Sequence, residues 1–215
     1  MSCVDRGKDN AQTENHNRTL ALRPACPFFD GKVQAEGIDL NVLIIGQSDR
    51  QRDGEDRHER MLQKAEFDVA ELSLSSYLMA KSRGMPFTAI PVFPRRLFSH
   101  SQMWINVAAD INPLIHVVAF KDDVLKKYPE AAQSLFNAFT EAKRVCREFY
   151  ADPNWSWLAW GRQAFEEEEK LLGPDPWPYG LEKNRANLER FVGYSLEQGL
   201  MAKKMAVEEL FLPLN

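Results

Sequence analysis

The sequence lacks the features that mark several large classes of protein. No run of about 18 apolar residues occurs, so we expect no membrane-spanning helix. The cysteines are odd in number and scattered, at Cys3, Cys26 and Cys146, which favours reduced thiols in a cytoplasmic protein over a disulfide framework. The first residues are polar and contain no apolar h-region, so we expect no secretory signal.

Motifs for common cofactors and nucleophiles are also missing. There is no C-x-x-C pair, no H-E-x-x-H, no P-loop, no G-x-G-x-x-G and no G-x-S-x-G. No metal site is therefore predicted, and no cofactor is evident. A net charge of −4 and an isoelectric point near 5.7 argue against a nucleic-acid-binding face, which is usually basic.

What the sequence does contain is an alternation of strand and helix patterns. With 215 residues, 44% of them hydrophobic, the chain can form one large domain or two small ones. Strand, helix, strand order predicts an α/β fold with a mostly parallel sheet flanked by helices. The predicted strands are 37–45, 67–73, 87–93, 101–107 and 114–120, and the predicted helices are 57–66, 75–83, 129–150, 154–172, 181–197 and 199–211.

These patterns predict three parts of the chain. Residues 1–18 are charged and aperiodic, which predicts a disordered segment. Residues 19–120 form the predicted α/β lobe. Residues 121–215 form C-terminal helices that are expected to pack on the same lobe.

A carboxylate and three hydroxyls mark the junction of a strand and a helix in "FDVAELSLSSYLMAKSRG". They are Glu71, Ser73, Ser75 and Ser76. The free N–H groups at a helix start favour bound anions, and ligands of open α/β sheets lie beyond the carboxyl ends of the strands. The alternative is that Ser75 or Ser76 only caps the helix.

The stretch after the next strand, "PVFPRRLFSHS", supplies Arg95, Arg96 and His100. Paired guanidinium groups bind a carboxylate bidentately, and a histidine can act as an acid or a base near neutral pH. The alternatives are a solvated loop for the arginines and a surface or capping role for His100. His116 lies in an apolar strand and is interpreted as a core histidine with a hydrogen-bond partner, whereas His58 receives no role.

The stretch "DPWPYGLEKNR" places Trp177 and Tyr179 between prolines. A rigid aromatic wall is one interpretation. A packed loop between helices is the other.

Several long segments together resemble the 4,5-dihydroxyphthalate decarboxylase family. They are "FFDGKVQAEGIDLNVL", "EFDVAELSLSSYLMAKSRG", "FTAIPVFPRRLFSHS", "INPLIHVV" and "DPWPYGLEKNRANLERFVGYSLEQGL". The resemblance implies a two-lobed periplasmic-binding-protein fold that acts as a carboxy-lyase, releasing carbon dioxide from an aromatic diacid and leaving protocatechuate. A small aromatic carboxylate is then the expected partner, and a homo-oligomer stays open.

The resemblance also implies a site in the cleft between the lobes. His100 and Glu71 become the candidate proton donors. The implied substrate-binding residues are Ser73, Ser75, Ser76, Arg95, Arg96, Asn106, Asn112, Trp177 and Tyr179, with Asn106 and Asn112 flanking the hinge.

The chain departs from the family pattern in two places. Only residues 107–110 separate "SQMWIN" from "INPLIH", where the family carries its second lobe. The first-strand segment "LALRPACPFFDG" is also altered. Weak binding and poor turnover are therefore expected, and a solute-binding module or a non-catalytic fragment of the family remain the alternative functions.

Overall fold

The computed structural model describes residues 17–22, 28, 31–44, 57–94, 114–152 and 159–214. Within these ranges five strands and seven helices occur. The strands are β1 (Asn17–Leu22), β2 (Asp39–Ile44), β3 (Val69–Ser73), β4 (Phe87–Ile90) and β5 (His116–Lys121). The helices are α1 (Arg57–Lys64), α2 (Leu74–Ser82), α3 (Asp122–Lys127), α4 (Ala131–Ala151), α5 (Gly161–Leu172), α6 (Leu181–Glu197) and α7 (Val207–Leu210).

The five strands form one sheet in the order β2-β1-β3-β5-β4. Strand β1 pairs in parallel with β2 and β3, while β5 pairs antiparallel with β3 and β4. Strands β1 to β4 therefore run in one direction, and β5 alone runs in the other. The predicted α/β fold with a mostly parallel sheet is confirmed.

Alternation along the strands gives the sheet an apolar layer on each face. Leu72 and Val117 belong to one buried cluster, which α2 and α6 cover, while Val69 and Val118 belong to a second cluster, which α4 covers. Successive strand residues point to opposite faces, so a strand buried on both faces is apolar throughout. Strand β5, with five of its six residues buried, shows this pattern and forms part of the centre of the molecule.

Helix α4 confirms the amphipathic pattern predicted for residues 129–150. Its buried face consists of Ala131, Ala132, Leu135, Phe136, Ala138, Phe139 and Ala142, at the three- and four-residue spacing of a helix packed on one side. Phe139 packs edge-on against Phe28, with ring centroids 4.9 Å apart. The helix therefore closes one face of the sheet.

The C-terminal region differs from its prediction. A helix over residues 199–211 is wrong, because α6 stops before Gly199, whose φ of 71° is left-handed, and only the single turn α7 follows. Met201 and Met205 are buried in the first cluster without helical structure. Their apolar spacing reflects anchoring to the core, as does the bridge between Phe211 and Ala89.

Other predictions differ in extent or fall outside the description. The strand predicted at 87–93 ends at Ile90, where a backbone bond from Val92 to the Ile90 carbonyl begins a turn. The described part of the predicted helix 154–172 is α5. Of the disordered lead-in predicted at residues 1–18, Asn17 and Arg18 belong to strand β1, so the predicted end of that segment is wrong. Residues 1–16, the strand predicted at 101–107 and the junction at 107–110 lie outside the described residues. No helix in the described part is both long and apolar enough to cross a membrane.

Candidate functional site

The predicted site lies where β3 and β4 end and β5 begins, which we call the strand-end edge. Ser73 of β3 is paired with His116 of β5, and Ile90 of β4 is paired with Val118. Neighbouring strands are about 4.8 Å apart, so the ends of β3 and β4 lie roughly 10 Å from each other, with β5 between them. Side chains from three strands therefore meet at this edge.

The first turn of α2 follows β3 directly at the strand-end edge. The helix begins at Leu74 with Ser73 as its N-cap, so Ser75 and Ser76 lie inside the first turn and the alternative interpretation, that one of them caps the helix, is wrong. The Ser73 side chain makes no capping hydrogen bond. The Leu74 N–H donates to the Ile115 carbonyl at 2.8 Å, which ties this turn to the start of β5. The next N–H groups, of Ser75 and Ser76, have no partner within the helix because first-turn donors never do.

Glu71 does not lie open to a ligand. Its residue surface is only 1% exposed, and its Oε1 lies 2.5 Å from His116 Nδ1. Arg57 Nη2 lies 3.5 Å from Oε2, and Arg57 Nε donates to the Glu71 carbonyl at 2.8 Å. Both carboxylate oxygens thus face basic side chains inside the protein, and the expectation that Glu71 faces the cleft is wrong in the described structure.

Two basic residues of α1 complete this buried cluster. Arg57 is fully buried, and the ring of His58 packs edge-on against His116 with centroids 5.4 Å apart. His116 is a buried histidine with a partner, as predicted. The roles of Arg57 and His58 were missed because a helix rich in charge looks solvent-exposed in sequence. The one available signal was Glu71 itself, since a carboxylate in a buried strand requires a basic partner.

The loop that carries Trp177 and Tyr179 is tied to the end of β4. The Gly180 N–H donates to the Pro91 carbonyl at 2.9 Å, directly after the last residue of β4. Lys143 of α4 binds the same loop through the Asp175 carboxylate at 2.9 Å and the Trp177 carbonyl at 3.0 Å. The loop is therefore packed between helices, as one interpretation predicted, and it also lies beside the strand-end edge.

The structure thus brings some of the predicted site residues together at the strand-end edge and does not describe the others. Ser73, Ser75 and Ser76 lie at the end of β3, and the loop of Trp177 and Tyr179 contacts the end of β4. The remaining predicted residues lie outside the described part of the chain: Arg95, Arg96, His100, Asn106 and Asn112. Among the described residues, no group of three or more His, Cys, Asp or Glu side chains is arranged to hold a metal ion.

A shallow cavity of about 160 Å³ occurs elsewhere, beside the edge strand β2. Phe28, Val33 and Ile38 line it together with residues from the first half of β2. None of the predicted site residues contributes to its wall. It therefore gives no support to the predicted ligand site.

Comparison with known proteins supplies a family resemblance. No family model matches the chain. A 4,5-dihydroxyphthalate decarboxylase from Comamonas testosteroni is 37% identical over 87 residues, which are 40% of this chain and 24% of that protein. The chain resembles 4,5-dihydroxyphthalate decarboxylases. A second such decarboxylase, from Pseudomonas putida, is 38% identical over 81 residues, which are 37% of this chain and 29% of that protein.

The predicted resemblance is confirmed, but over a shorter part of the chain than the quoted segments suggested. The matched segment spans only 24% and 29% of the two relatives, well under half of either. What these relatives share with the chain is therefore one portion of a decarboxylase.

Two solved structures with a similar fold come from ABC transporters. A periplasmic sulfonate-binding protein of a sulfonate ABC transporter from Methylobacillus flagellatus has a TM-score of 0.53 and 8% identity, covering 93% of this chain and 92% of that one. An ABC transporter protein from Parabacteroides distasonis has a TM-score of 0.50 and 10% identity, covering 94% and 99%. At such identities the likeness concerns the fold alone, and it confirms a periplasmic-binding-protein-like architecture.

Proposed function

We propose that this chain takes part in the decarboxylation of an aromatic dicarboxylate similar to 4,5-dihydroxyphthalate, giving protocatechuate and carbon dioxide. The observation that carries the proposal is the identity of 37% and 38% with two decarboxylases of that name. The similarity covers a minority of each relative, so the substrate and the reaction are transferred as a hypothesis.

The chemistry of this reaction sets three requirements. A proton must replace carbon dioxide on the ring carbon, and the electron pair of the broken carbon–carbon bond must take up that proton. The carboxylate that stays must be held in place, and water must be excluded. A ring hydroxyl para to the departing carboxylate helps, because it donates electron density to the carbon that is protonated.

The strand-end edge offers a place to hold the spared carboxylate. The first turn of α2 presents N–H groups of Ser75 and Ser76 that no helical carbonyl accepts, and the helix dipole favours an anion there. Arg95 and Arg96 follow β4 in sequence by a few residues, and in this proposal they bind the same carboxylate bidentately. Their positive charge would add to the field of the helix.

His100 is the better candidate for the proton donor. Glu71 is enclosed by Arg57 and His116 and is 1% exposed, so it cannot reach a ring carbon in the described structure. His100 follows the two arginines in the same stretch and can carry a proton near neutral pH. In this proposal Glu71 therefore helps to hold the strand-end edge together and does not contact the substrate.

The test is product formation by the purified chain. It would be incubated with 4,5-dihydroxyphthalate, and protocatechuate would be measured by chromatography together with released carbon dioxide. We expect slow turnover that falls at least tenfold in Arg95→Ala and in His100→Ala, because each removes a group proposed to act on the substrate. Arg162→Ala is the matched control, since Arg162 is an exposed arginine on α5 that pairs with Glu166.

Absence of product at any protein concentration would overturn the proposal for this chain. Equal loss in the Arg162→Ala control would show that general charge, not the site, matters. Turnover as fast as that of an intact decarboxylase would contradict the expectation that a missing second lobe impairs the activity.

The second candidate function is binding of a small carboxylate without catalysis. One observation favours it: Glu71, the acidic residue of β3, is sequestered in an ion pair and cannot act on a ligand. The fold is also one that solute-binding proteins use. A thermal shift with phthalates in the absence of any product would select this function, and size-exclusion chromatography would reveal a self-associating fragment.

A further inference from the structure

The loop of residues 175–180 is fixed by hydrogen bonds from a buried side chain. The amide of Asn184 donates to the carbonyls of Pro178 at 2.9 Å and of Gly180 at 2.8 Å. Asn184 itself is 1% exposed, on the first turn of α6. One buried side chain thus fixes two carbonyls of a loop that would otherwise need solvent to satisfy them.

The backbone at the end of the loop, at Gly180 and Leu181, is fixed as well. Gly180 adopts a φ of 99°, which only glycine tolerates at low cost, and its N–H is bound to Pro91. The next N–H, of Leu181, donates to the Leu214 carbonyl at 3.1 Å. The loop is therefore anchored to β4, to α6 and to the C-terminal residues at the same time.

The two aromatic residues of this loop have different surroundings. The ring of Tyr179 packs on the second apolar cluster, and Lys143 Nζ lies 4.6 Å from its centre. Trp177 keeps 39% of its surface exposed, although its carbonyl is bound by the same lysine. A large exposed aromatic on a rigid support is a feature of recognition sites, because little conformational entropy is lost when a ligand packs on it.

We propose that Asn184 is a positioning residue that holds Trp177 as a flat wall of the ligand site, and that this wall selects ligands with a planar aromatic ring. The inference rests on the proposed function, which places a dicarboxylate at the strand-end edge. The inference adds Trp177 as the residue that distinguishes an aromatic diacid from an aliphatic diacid with the same carboxylates. The hydrogen bond from Gly180 to Pro91 places this loop beside the end of β4, at the strand-end edge.

Two probe ligands test this selection without any turnover. Phthalate is planar and lacks the hydroxyls that assist decarboxylation, while cis-cyclohexane-1,2-dicarboxylate carries adjacent carboxylates on a puckered ring. Affinities for both would be measured by isothermal titration calorimetry. We expect the intact chain to prefer phthalate by about two- to tenfold, the range that aromatic contact supplies.

Substitutions of Trp177 and Asn184 test whether the Trp177 wall causes the preference for phthalate. Trp177→Leu should remove most of it by weakening phthalate binding while affinity for the saturated diacid stays constant. Asn184→Ala should have the same effect through the loop, whereas a residue needed only for folding would weaken both probes equally. Tyr194→Leu is the matched control, because Tyr194 is an aromatic residue of α6 that is 53% exposed.

The outcomes separate this inference from the proposed function. Equal affinities of the intact chain for the two probes, binding of neither, or an unchanged preference in Trp177→Leu would each overturn the inference. If Asn184→Ala does not fold, Trp177→Leu decides alone. A clear preference for phthalate without decarboxylation of 4,5-dihydroxyphthalate would sustain the inference and overturn only the enzymatic function.

Discussion

Replacing Glu71 by alanine should destabilise the protein strongly. The substitution leaves the guanidinium of Arg57, which is fully buried, without the carboxylate that lies 3.5 Å away. It also removes the partner of His116 Nδ1. A buried charge that loses a carboxylate beside it cannot recover the hydration it gave up on folding, and this is why such substitutions are costly.

The magnitude follows from the burial of the pair. Removing one partner of a buried ion pair typically costs about 3–5 kcal/mol, a large share of the roughly 5–15 kcal/mol that stabilises a domain. For a chain of this size each kcal/mol lowers Tm by roughly 2–4 °C, so the expected fall is about 6–20 °C. Glu71→Gln should cost less, because an amide of the same shape can still accept a hydrogen bond from the His116 ring.

The assay is thermal unfolding followed by circular dichroism at pH 7. The matched control is Glu66→Gln, because Glu66 also pairs with an arginine, Arg60, but its side chain is 41% exposed. Exposed pairs contribute about 0–1 kcal/mol, so the control should shift Tm by no more than about 4 °C. If Glu71→Ala melts within the range of the control, the buried cluster does not stabilise the fold and the reasoning fails.

Three further predictions concern stability. Tyr77→Phe should lower the free energy of unfolding, measured in urea, by about 1–3 kcal/mol. The buried Tyr77 hydroxyl, whose pKa is raised by burial, bonds two backbone groups, and the substitution would leave both unsatisfied. A change below about 0.5 kcal/mol would contradict this. Leu72→Ala, in a fully buried strand position, should cost about 2–5 kcal/mol, and a smaller loss would mean that the core there is loosely packed. The hydrogen bond from Arg60 lowers the pKa of Glu66 below 4.5, so this pair stabilises the fold above pH 4.5, and the contribution disappears as the pH falls through the lowered pKa. Glu66→Gln should therefore flatten the dependence of the unfolding free energy on pH in the acid range, and an unchanged slope would refute the prediction.

The sequence predicted the parts of the fold that depend on periodicity. Alternating apolar residues located β2 and β3, a continuous apolar run located β5, and the three- and four-residue spacing located α4, because each pattern follows from one buried face or two. The insertion of β5 between β3 and β4 was not predicted. Strand order depends on contacts between distant segments, and no local pattern records it.

The candidate site was predicted less completely than the fold. The position of Ser73 to Ser76 at a strand end followed from the order of elements. The burial of Glu71 did not, because it depends on Arg57, which is 14 residues away and lies in a segment of high charge. Sequence shows that a carboxylate is present, and only the tertiary arrangement shows which cation it meets.

The direction of β5 has a consequence for how this protein can change in evolution. Strands β4 and β5 are antiparallel neighbours, and the last residue of β4, Ile90, is paired with Val118, two residues after β5 begins. The chain therefore leaves the sheet and returns to it at the same end, at points roughly 8 Å apart. A connection between such points can be a short turn or an entire inserted domain, since the entropy of closing it grows only with the logarithm of its length. Insertion or deletion between these two strands would therefore leave every strand pairing intact, and relatives of very different size can share this sheet unchanged.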